Sequence, residues 1–439
     1  MKIDGKADSL ELFNLKSRHT RVFHLSWFAF FACFFAWFGI APLMPVIRDE
    51  FSLTKDQIGN IMIASVSATV FMRILMGWLC DRIGPRITYS ALLVGGSVPV
   101  MCIGLSYDYH SFLFFRLLIG AIGGSFVITQ YHTSVFYSAR CVGTANATSA
   151  GWGNLGGGVT QMVMPLVFSL VVAAGVSEFW GWRISMLVVG VFCAVLGAVY
   201  YFFTTDTPLG NFKELRALGK IPEKSSASGG FIKAVKDKRV WILFCVYGAC
   251  FGIELTMNNI AALYFRDYFE LGLQEAGVVA GLFGVMNLFA RSLGGFVGDR
   301  AGSRYGLQGR VVWLGAALLL EGAALIVFSR MVALPAALVC LIFFSLFVQM
   351  AEGATFSVVP FVNPGAVGSV AGIVGAGGNA GAVIAGFLFK GGMAWPDALM
   401  VLGALALGVG AMSFLLRFPD HAQEPKMMPE LGASWLKGG

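Results

Sequence analysis

Charge is scarce in this chain: Asp, Glu, Lys and Arg together make up 13% of its 439 residues. An average soluble domain carries about twice that share, so a water-covered globular surface is excluded for most of the length. The spacings that carry enzyme chemistry are missing as well. There is no nucleophile–base arrangement, no G-x-x-x-x-G-K-[ST] phosphate loop and no metal-type spacing among the eight cysteines. The chain therefore reads as neither an enzyme nor an ATP-driven pump, with no cofactor and no metal. The cysteines lie in or at the ends of apolar runs, where they are expected to pack as small apolar groups rather than form bridges. No small-residue cleavage site precedes the first apolar run, so that run reads as a retained helix and not a signal peptide.

Apolar length, by contrast, is abundant. Hydrophobic residues make up 57% of the chain and mean hydropathy is +0.75. Twelve runs are long enough to cross a hydrocarbon core of about 30 Å: 23–45, 57–80, 87–106, 111–137, 143–174, 182–204, 240–266, 273–298, 311–330, 334–360, 366–390 and 396–417. Unpaired backbone is prohibitive in lipid, so each is expected to be a helix. The fold class that follows is an all-α membrane protein with twelve transmembrane helices. The net charge of +7 does not point to nucleic acid, because its distribution is lopsided. Of 31 Lys and Arg, 22 fall in the termini and the loops after even-numbered spans, six on the other side, and three inside spans. By the positive-inside rule both termini are expected in the cytoplasm of a multi-pass inner or plasma membrane protein surrounded by lipid.

The longest hydrophilic stretch, 205–239, holds Pro208, Pro222, an S-S-A-S-G-G run and eight basic residues. It reads as a cytoplasmic linker between six-helix halves at 23–204 and 240–417, with an N-terminal segment at 1–22 and a tail at 418–439. The halves repeat each other. Arg73-x3-Gly77-x3-Asp81-Arg82-x-Gly84-x-Arg86 returns 218 positions later as Arg291-x3-Gly295-x3-Asp299-Arg300-x-Gly302-x-Arg304. G-W-G-N-L-G at 151–156 returns 225 positions later as A-G-G-N-A-G at 376–381. Parallel repeats flanking a midplane site are a transporter architecture.

These motifs carry a family resemblance over nearly the whole chain. The Gly-x3-Asp-Arg-x-Gly-x-Arg loop resembles the loop signature of the major facilitator superfamily, and implies a fold of two pseudo-symmetric six-helix halves. Asp81, Arg82, Asp299 and Arg300 are its conformational-loop residues. The segment A-G-W-G-N-L-G-G-G-V-T-Q at 150–161, with G-A-G-G-N-A-G-A-V at 375–383, is similar to the signatures of the nitrate/nitrite porter family, closest to the high-affinity nitrate transporters of plants and assimilating bacteria.

Arg73 and Arg291 are the sharpest functional signal. An arginine in mid-span costs about 2.5–3.5 kcal/mol on insertion scales, and neither has an acid three or four residues away on its own helix. Either each pairs with a carboxylate on another helix, or the two converge on an anion at the pseudo-twofold axis, where a planar charged fork suits a planar oxyanion. The resemblance implies the second, with both arginines clasping nitrate. At 100° per residue Gly151, Asn154, Gly158 and Gln161 share one helix face. Gly153 and Gly157 have the small-xxx-small spacing of close helix approach, and Gly378 and Gly381 are the motif glycines of the second copy. Asn154 and Asn379 are expected at the site, because a mid-membrane amide needs partners. Tyr247, Phe251, Glu254 and Asn258 lie on one face of the seventh span. The resemblance implies that Phe126 and Phe251 sandwich the anion, that Tyr247 hydrogen-bonds it and that Phe31 completes the pocket.

The function expected is secondary active uptake of nitrate or nitrite by alternating access, driven by protons, in a monomer. Glu254 and then Glu352 are the proton-coupling candidates, ahead of Glu321 and His132. Exchange of nitrate for nitrite, which needs no titratable group, is the alternative mechanism. An anion sensor is disfavoured, because no sizeable soluble domain is present.

Overall fold

The computed structural model describes residues 5–138, 141–218, 228–363, 367–390 and 392–418. Among these residues the chain is helical, with two isolated β-bridges, Ala7 to Tyr137 and Thr207 to Gly210. The tail read from the sequence as 418–439 lies outside the described residues beyond Phe418, and so does the middle of the linker.

The helices follow the order of the apolar runs. Helix α1 is Arg18–Phe38, prolonged by helical turns to Phe51; α2 is Lys55–Ile83, α3 Pro85–Cys102, α4 Tyr109–Phe136, α5 Val142–Ala173 and α6 Glu178–Phe203. The linker contributes two short helices, Phe212–Ala217 and Ser228–Lys236. Helix α7 then spans Lys238–Phe269. A helical segment of 57 residues follows, Leu273–Ser329. That is far longer than the roughly 20 residues one crossing needs. Gly306 interrupts it at φ 66, ψ −162, a conformation only glycine adopts without strain. The segment is therefore two crossings, α8 (273–305) and α9 (307–329). Eleven continuous apolar helices thus make twelve spans, completed by α10 Leu334–Val358, α11 Val367–Phe389 and α12 Trp395–Ser413.

Local chemistry sets the helix ends. Thr54 and Gln57 form a capping box at the start of α2 (3.3 and 2.9 Å). Asp108 caps α4 through the Ser111 amide (2.8 Å), and Asp237 caps α7 through the Arg239 amide (2.9 Å). Each carboxylate satisfies an orphan N–H and favours the positive helix terminus.

Packing repeats the sequence symmetry. In one half α1 packs on α5 and α3 on α6; in the other α7 packs on α11 and α9 on α12. The halves meet along two equivalent seams, α2 with α11 and α5 with α8. Glycines permit this closeness: a Cβ at Gly158 of α5 would lie 2.6 Å from the Gly284 backbone of α8. Polar ties between the halves cluster at the end of the bundle carrying the α1–α2 and α7–α8 connections. There Arg48 donates to Asp267 at 2.5 Å, Arg266 lies 3.9 Å from Asp49, and Gln274 donates to Ser169 at 2.9 Å. Deeper in, Asn259 Oδ1 accepts from Arg116 of α4 (3.0 Å) and Ser65 of α2 (3.1 Å).

Candidate functional site

Arg73 lies in the middle of α2. Arg291 lies on α8 just after a 3-10 turn, Met286–Leu288, that interrupts the helix. Both are buried, with 5% and 3% of their surface exposed. Their common neighbour is Phe251 of α7. The Arg73 guanidinium carbon stands 5.4 Å from the centre of that ring and the Arg291 carbon 5.9 Å. Phe126, from the α4 turn that follows the glycine-rich 3-10 segment Gly120–Gly124, gives Arg73 a second ring at 5.1 Å. Cations over desolvated ring faces gain about 0.5–2 kcal/mol each, which offsets part of the cost of burying two like charges together.

The two arginines are satisfied differently. Arg73 Nη1 donates to the Gly375 carbonyl of α11 at 2.7 Å, while its Nε and Nη2 have no partner among the described residues. Arg291 Nη2 donates to the Tyr247 hydroxyl at 2.7 Å, and its Nη1 pairs with Glu352 of α10. The expected alternative of an ion pair to another helix is thus realised for Arg291 and not for Arg73.

Around this core the aromatic face is continuous. Tyr247 stacks on Phe251 (5.0 Å, 12°), and Phe356 of α10 sits edge-on to Tyr247 (5.1 Å, 82°) and beside Phe126 (6.4 Å). Phe356 escaped the sequence reading, although its i, i+4 spacing from Glu352 puts both on one helix face. Among the described residues, Asn154 is buried with neither amide atom hydrogen-bonded, and Asn379 makes only a long contact to the same Gly375 carbonyl that holds Arg73 (3.5 Å). Both are mid-bundle amides with hydrogen-bonding capacity to spare.

Among the carboxyls, Glu254 Oε1 accepts from Asn287 of α8 at 2.7 Å, and Glu254 lies within hydrogen-bonding reach of Glu352. Glu254 Oε2 and Glu352 Oε1 have no donor among the described residues. Glu321 of α9 is fully buried, with neither oxygen bonded among the described residues, and faces the same cluster. His132 lies apart from it, its ring nitrogens 2.6 Å from the Tyr200 hydroxyl and 2.8 Å from the Thr205 carbonyl.

Phe31 is not brought to the arginines. Its ring stacks on Phe28 (5.9 Å) and lies beside Phe35 (6.2 Å); the adjacent Phe30 is the α1 aromatic that meets Phe126, at 5.8 Å. The motif glycines pack against helices. A side chain at Gly153 would collide with the Phe30 ring, at Gly378 with Phe251, and at Gly381 with the Gly248 backbone; at Gly151 it would meet the Asn287 carbonyl. Gly157 is looser, with the Asn258 amide 3.2 Å from where its Cβ would stand. At the loop motif Arg82 stacks on Trp78 (4.9 Å), Asp299 pairs with Arg310 across the Gly306 break, and Arg300 lines a surface cleft. The Asp81 side chain lies outside what the structure describes. A cleft of about 720 Å³ at the opposite end is lined by Asp49, Glu50, Glu178, Glu275 and Arg266. Its acidic lining does not suit an anion.

Two pseudo-symmetric six-helix halves with paired buried cations at their interface define a secondary transporter of the major facilitator type. The Major Facilitator Superfamily pattern matches residues 26–386. High affinity nitrate transporter 2.5 of Arabidopsis thaliana is 39% identical over 95% of this chain and 83% of its own length. Nitrate transporter 2.1 of Chlamydomonas reinhardtii is 35% identical over 95% of this chain and 78% of its own length. The nitrate/nitrite transporter NrtP of Picosynechococcus is 29% identical over 85% of each chain. The chain belongs to the nitrate/nitrite transporter family of that superfamily. Among solved structures, a bacterial homolog of the human lysosomal transporter Spinster superposes with a TM-score of 0.70 at 16% identity, covering 91% of this chain and 97% of its own. At that identity the likeness bears on the fold alone.

Proposed function

We propose that this protein takes up nitrate, and nitrite as a second substrate, by proton-coupled alternating access of its two halves. One observation carries the reading: Phe251 is within cation–π distance of both guanidiniums, one from each half. A small planar anion lying on that ring can accept from Arg73 Nε and Nη2, which have no other partner among the described residues. On the other side it meets Arg291 and the Tyr247 hydroxyl, with Asn154 and Asn379 supplying further amide hydrogens. Charge-assisted forks of this kind are the strong form of oxyanion recognition.

The excess of Lys and Arg at one end orients both termini to the cytoplasm. In that orientation the ties through Arg48, Asp267 and Asn259 close the outer end. Opening there while the opposite end seals would move the anion inward. The chain acts as a monomer in the inner or plasma membrane. Entry of a lone anion against an inside-negative potential costs about 2.3 kcal/mol per 100 mV, which is why proton coupling is favoured. The lack of a carboxylate partner on Arg73 supports a second reading, nitrate/nitrite exchange, in which the retained charge blocks return of the empty carrier.

Proteoliposome flux tests both. Symport predicts nitrate accumulation that follows an imposed inward pH gradient; exchange predicts uptake that responds to internal nitrite and ignores pH. The proposal fails if nitrate crosses under neither condition.

A further inference from the structure

Arg291 differs from Arg73 in holding a carboxylate, and that carboxylate stands where an anion would compete with it. We propose that Glu352 and the transported anion are alternative partners of the Arg291 guanidinium, so that each anion bound displaces Glu352, which takes one proton as it leaves. The inference rests on the anion-transport reading above.

The case starts from charge. Arg291 Nη1 is spent on Glu352 and Nη2 on Tyr247. An anion drawn against Arg291 must either share it with Glu352 or replace it. Sharing places two negative charges on one buried guanidinium with Glu254 alongside, in a medium of low dielectric where like charges repel strongly. Replacement avoids this only if the released carboxylate is neutralised, since an unpaired buried charge is prohibitive. Among the described residues, the groups facing Glu352 offer no second cation. Tyr247, Cys250 and Glu254 face it from α7, Arg291 from α8 and Glu321 from α9; Arg73 of α2 reaches the cluster beside Arg291 and Tyr247. A proton from water on the open side is the remaining source of positive charge.

The step balances. The Arg291–Glu352 ion pair opens, an Arg291–anion contact forms, and the Glu352 carboxylate plus one proton becomes a carboxylic acid. One negative and one positive charge enter together, so the charge of the site is unchanged. The acid is not stranded: Glu254 is within hydrogen-bonding reach and keeps an oxygen without a donor. Glu352 is the acceptor in preference to Glu254, because Glu254 keeps its Asn287 amide whether or not Arg291 is occupied. Departure of anion and proton to the other side restores the ion pair. That coupling requires no contact between the proton and the anion.

Titration calorimetry of the purified protein with nitrate, in buffers of different ionisation enthalpy, reads affinity and proton uptake together. The parent is expected to take up about one proton per nitrate. Because the bound form holds the extra proton, affinity should tighten as pH falls, by up to about tenfold per pH unit. Glu352→Gln should bind nitrate with no proton uptake and with an affinity independent of pH. Glu254→Gln, should Glu352→Gln fail to fold, replaces the oxygen that would accept from the Glu352 acid with a weaker amide acceptor and so lowers the proton affinity of Glu352; uptake should persist but move to more acidic pH. Nitrate binding to the parent without proton uptake would overturn the inference while leaving the transport reading intact. Uptake that survives in Glu352→Gln, or vanishes at every pH in Glu254→Gln, would overturn it equally. No nitrate binding by the parent would overturn the transport reading along with it.

Discussion

Replacing Arg73 with lysine isolates geometry from charge. Lysine keeps the positive charge, and its ammonium can still reach toward the Gly375 carbonyl that now accepts from Nη1 at 2.7 Å. What disappears is the pair of N–H groups on Nε and Nη2, which have no other partner among the described residues. If both serve the anion, the variant loses two charge-assisted hydrogen bonds worth about 1.5 kcal/mol each at the lower end of their range. Together that is about 3 kcal/mol, on the order of a hundredfold in affinity. Poorer stacking of a compact ammonium on Phe126 and Phe251 would add about 0.5 kcal/mol. Folding should survive, because neither nitrogen bonds to another described residue. The assay is nitrate affinity of the purified variant beside the parent, with thermal unfolding as the control. A folded Arg73→Lys protein that binds nitrate within about threefold of the parent, a difference under 1 kcal/mol, would refute the clasp.

The two motif asparagines and the motif glycines should separate by assay. Asn154→Ala removes no bond among the described residues, so its thermal midpoint should hold while nitrate affinity falls about tenfold; Asn379→Ala should behave similarly, since the bond it makes among those residues is long. Gly153→Leu drives a side chain into the Phe30 ring and should lower stability by about 1–3 kcal/mol or block folding; equal midpoints for all three variants would leave packing as no explanation for Gly153. Asn259→Ala strips buried Arg116 of its link to the other half, a charge-assisted bond worth about 1.5–3 kcal/mol. Hydrogen exchange around residues 44–51 and 259–273 should then accelerate about tenfold or more, and unchanged exchange would show that this tie does not hold the end closed.

The fold was legible because lipid enforces it. Runs of apolar residues had to be helices, and the 218-residue repeat had to be two similar halves. The boundaries were less so: hydropathy locates the part of a helix that meets lipid, whereas the helix itself runs until its backbone is capped. Helix α7 accordingly spans Lys238–Phe269, beginning at the Asp237 cap, not at the first apolar residue. The same blindness hid the continuity of α8 and α9. The stretch 299–310 is too polar to score as a span, yet it stays helical apart from the break at Gly306.

The site was legible where a residue type is costly in its place and obscure where its partner lies on a distant helix. Buried arginines announce themselves, and the face shared by Tyr247, Phe251 and Glu254 follows from helical periodicity. Neighbouring phenylalanines on α1 do not announce which ring turns inward: the resemblance points to Phe31, and Phe30 is the one that meets Phe126. The deeper gap is one that symmetry conceals. A repeat that places Arg73 and Arg291 in matching contexts predicts matching roles, but the residues that complete each environment come from α11 in one case and from α7 and α10 in the other. Arg73 has a carbonyl for a partner and keeps its charge; Arg291 has a carboxylate and gives its charge up to it. Under the proposal, one half of the clasp is permanently attractive to an anion, while the other becomes so only when Glu352 lets go. A carrier built from two identical halves would have no such conditional member. In the proposed mechanism the break in symmetry, confined to what each guanidinium touches, is what would make binding of an anion sensitive to a proton.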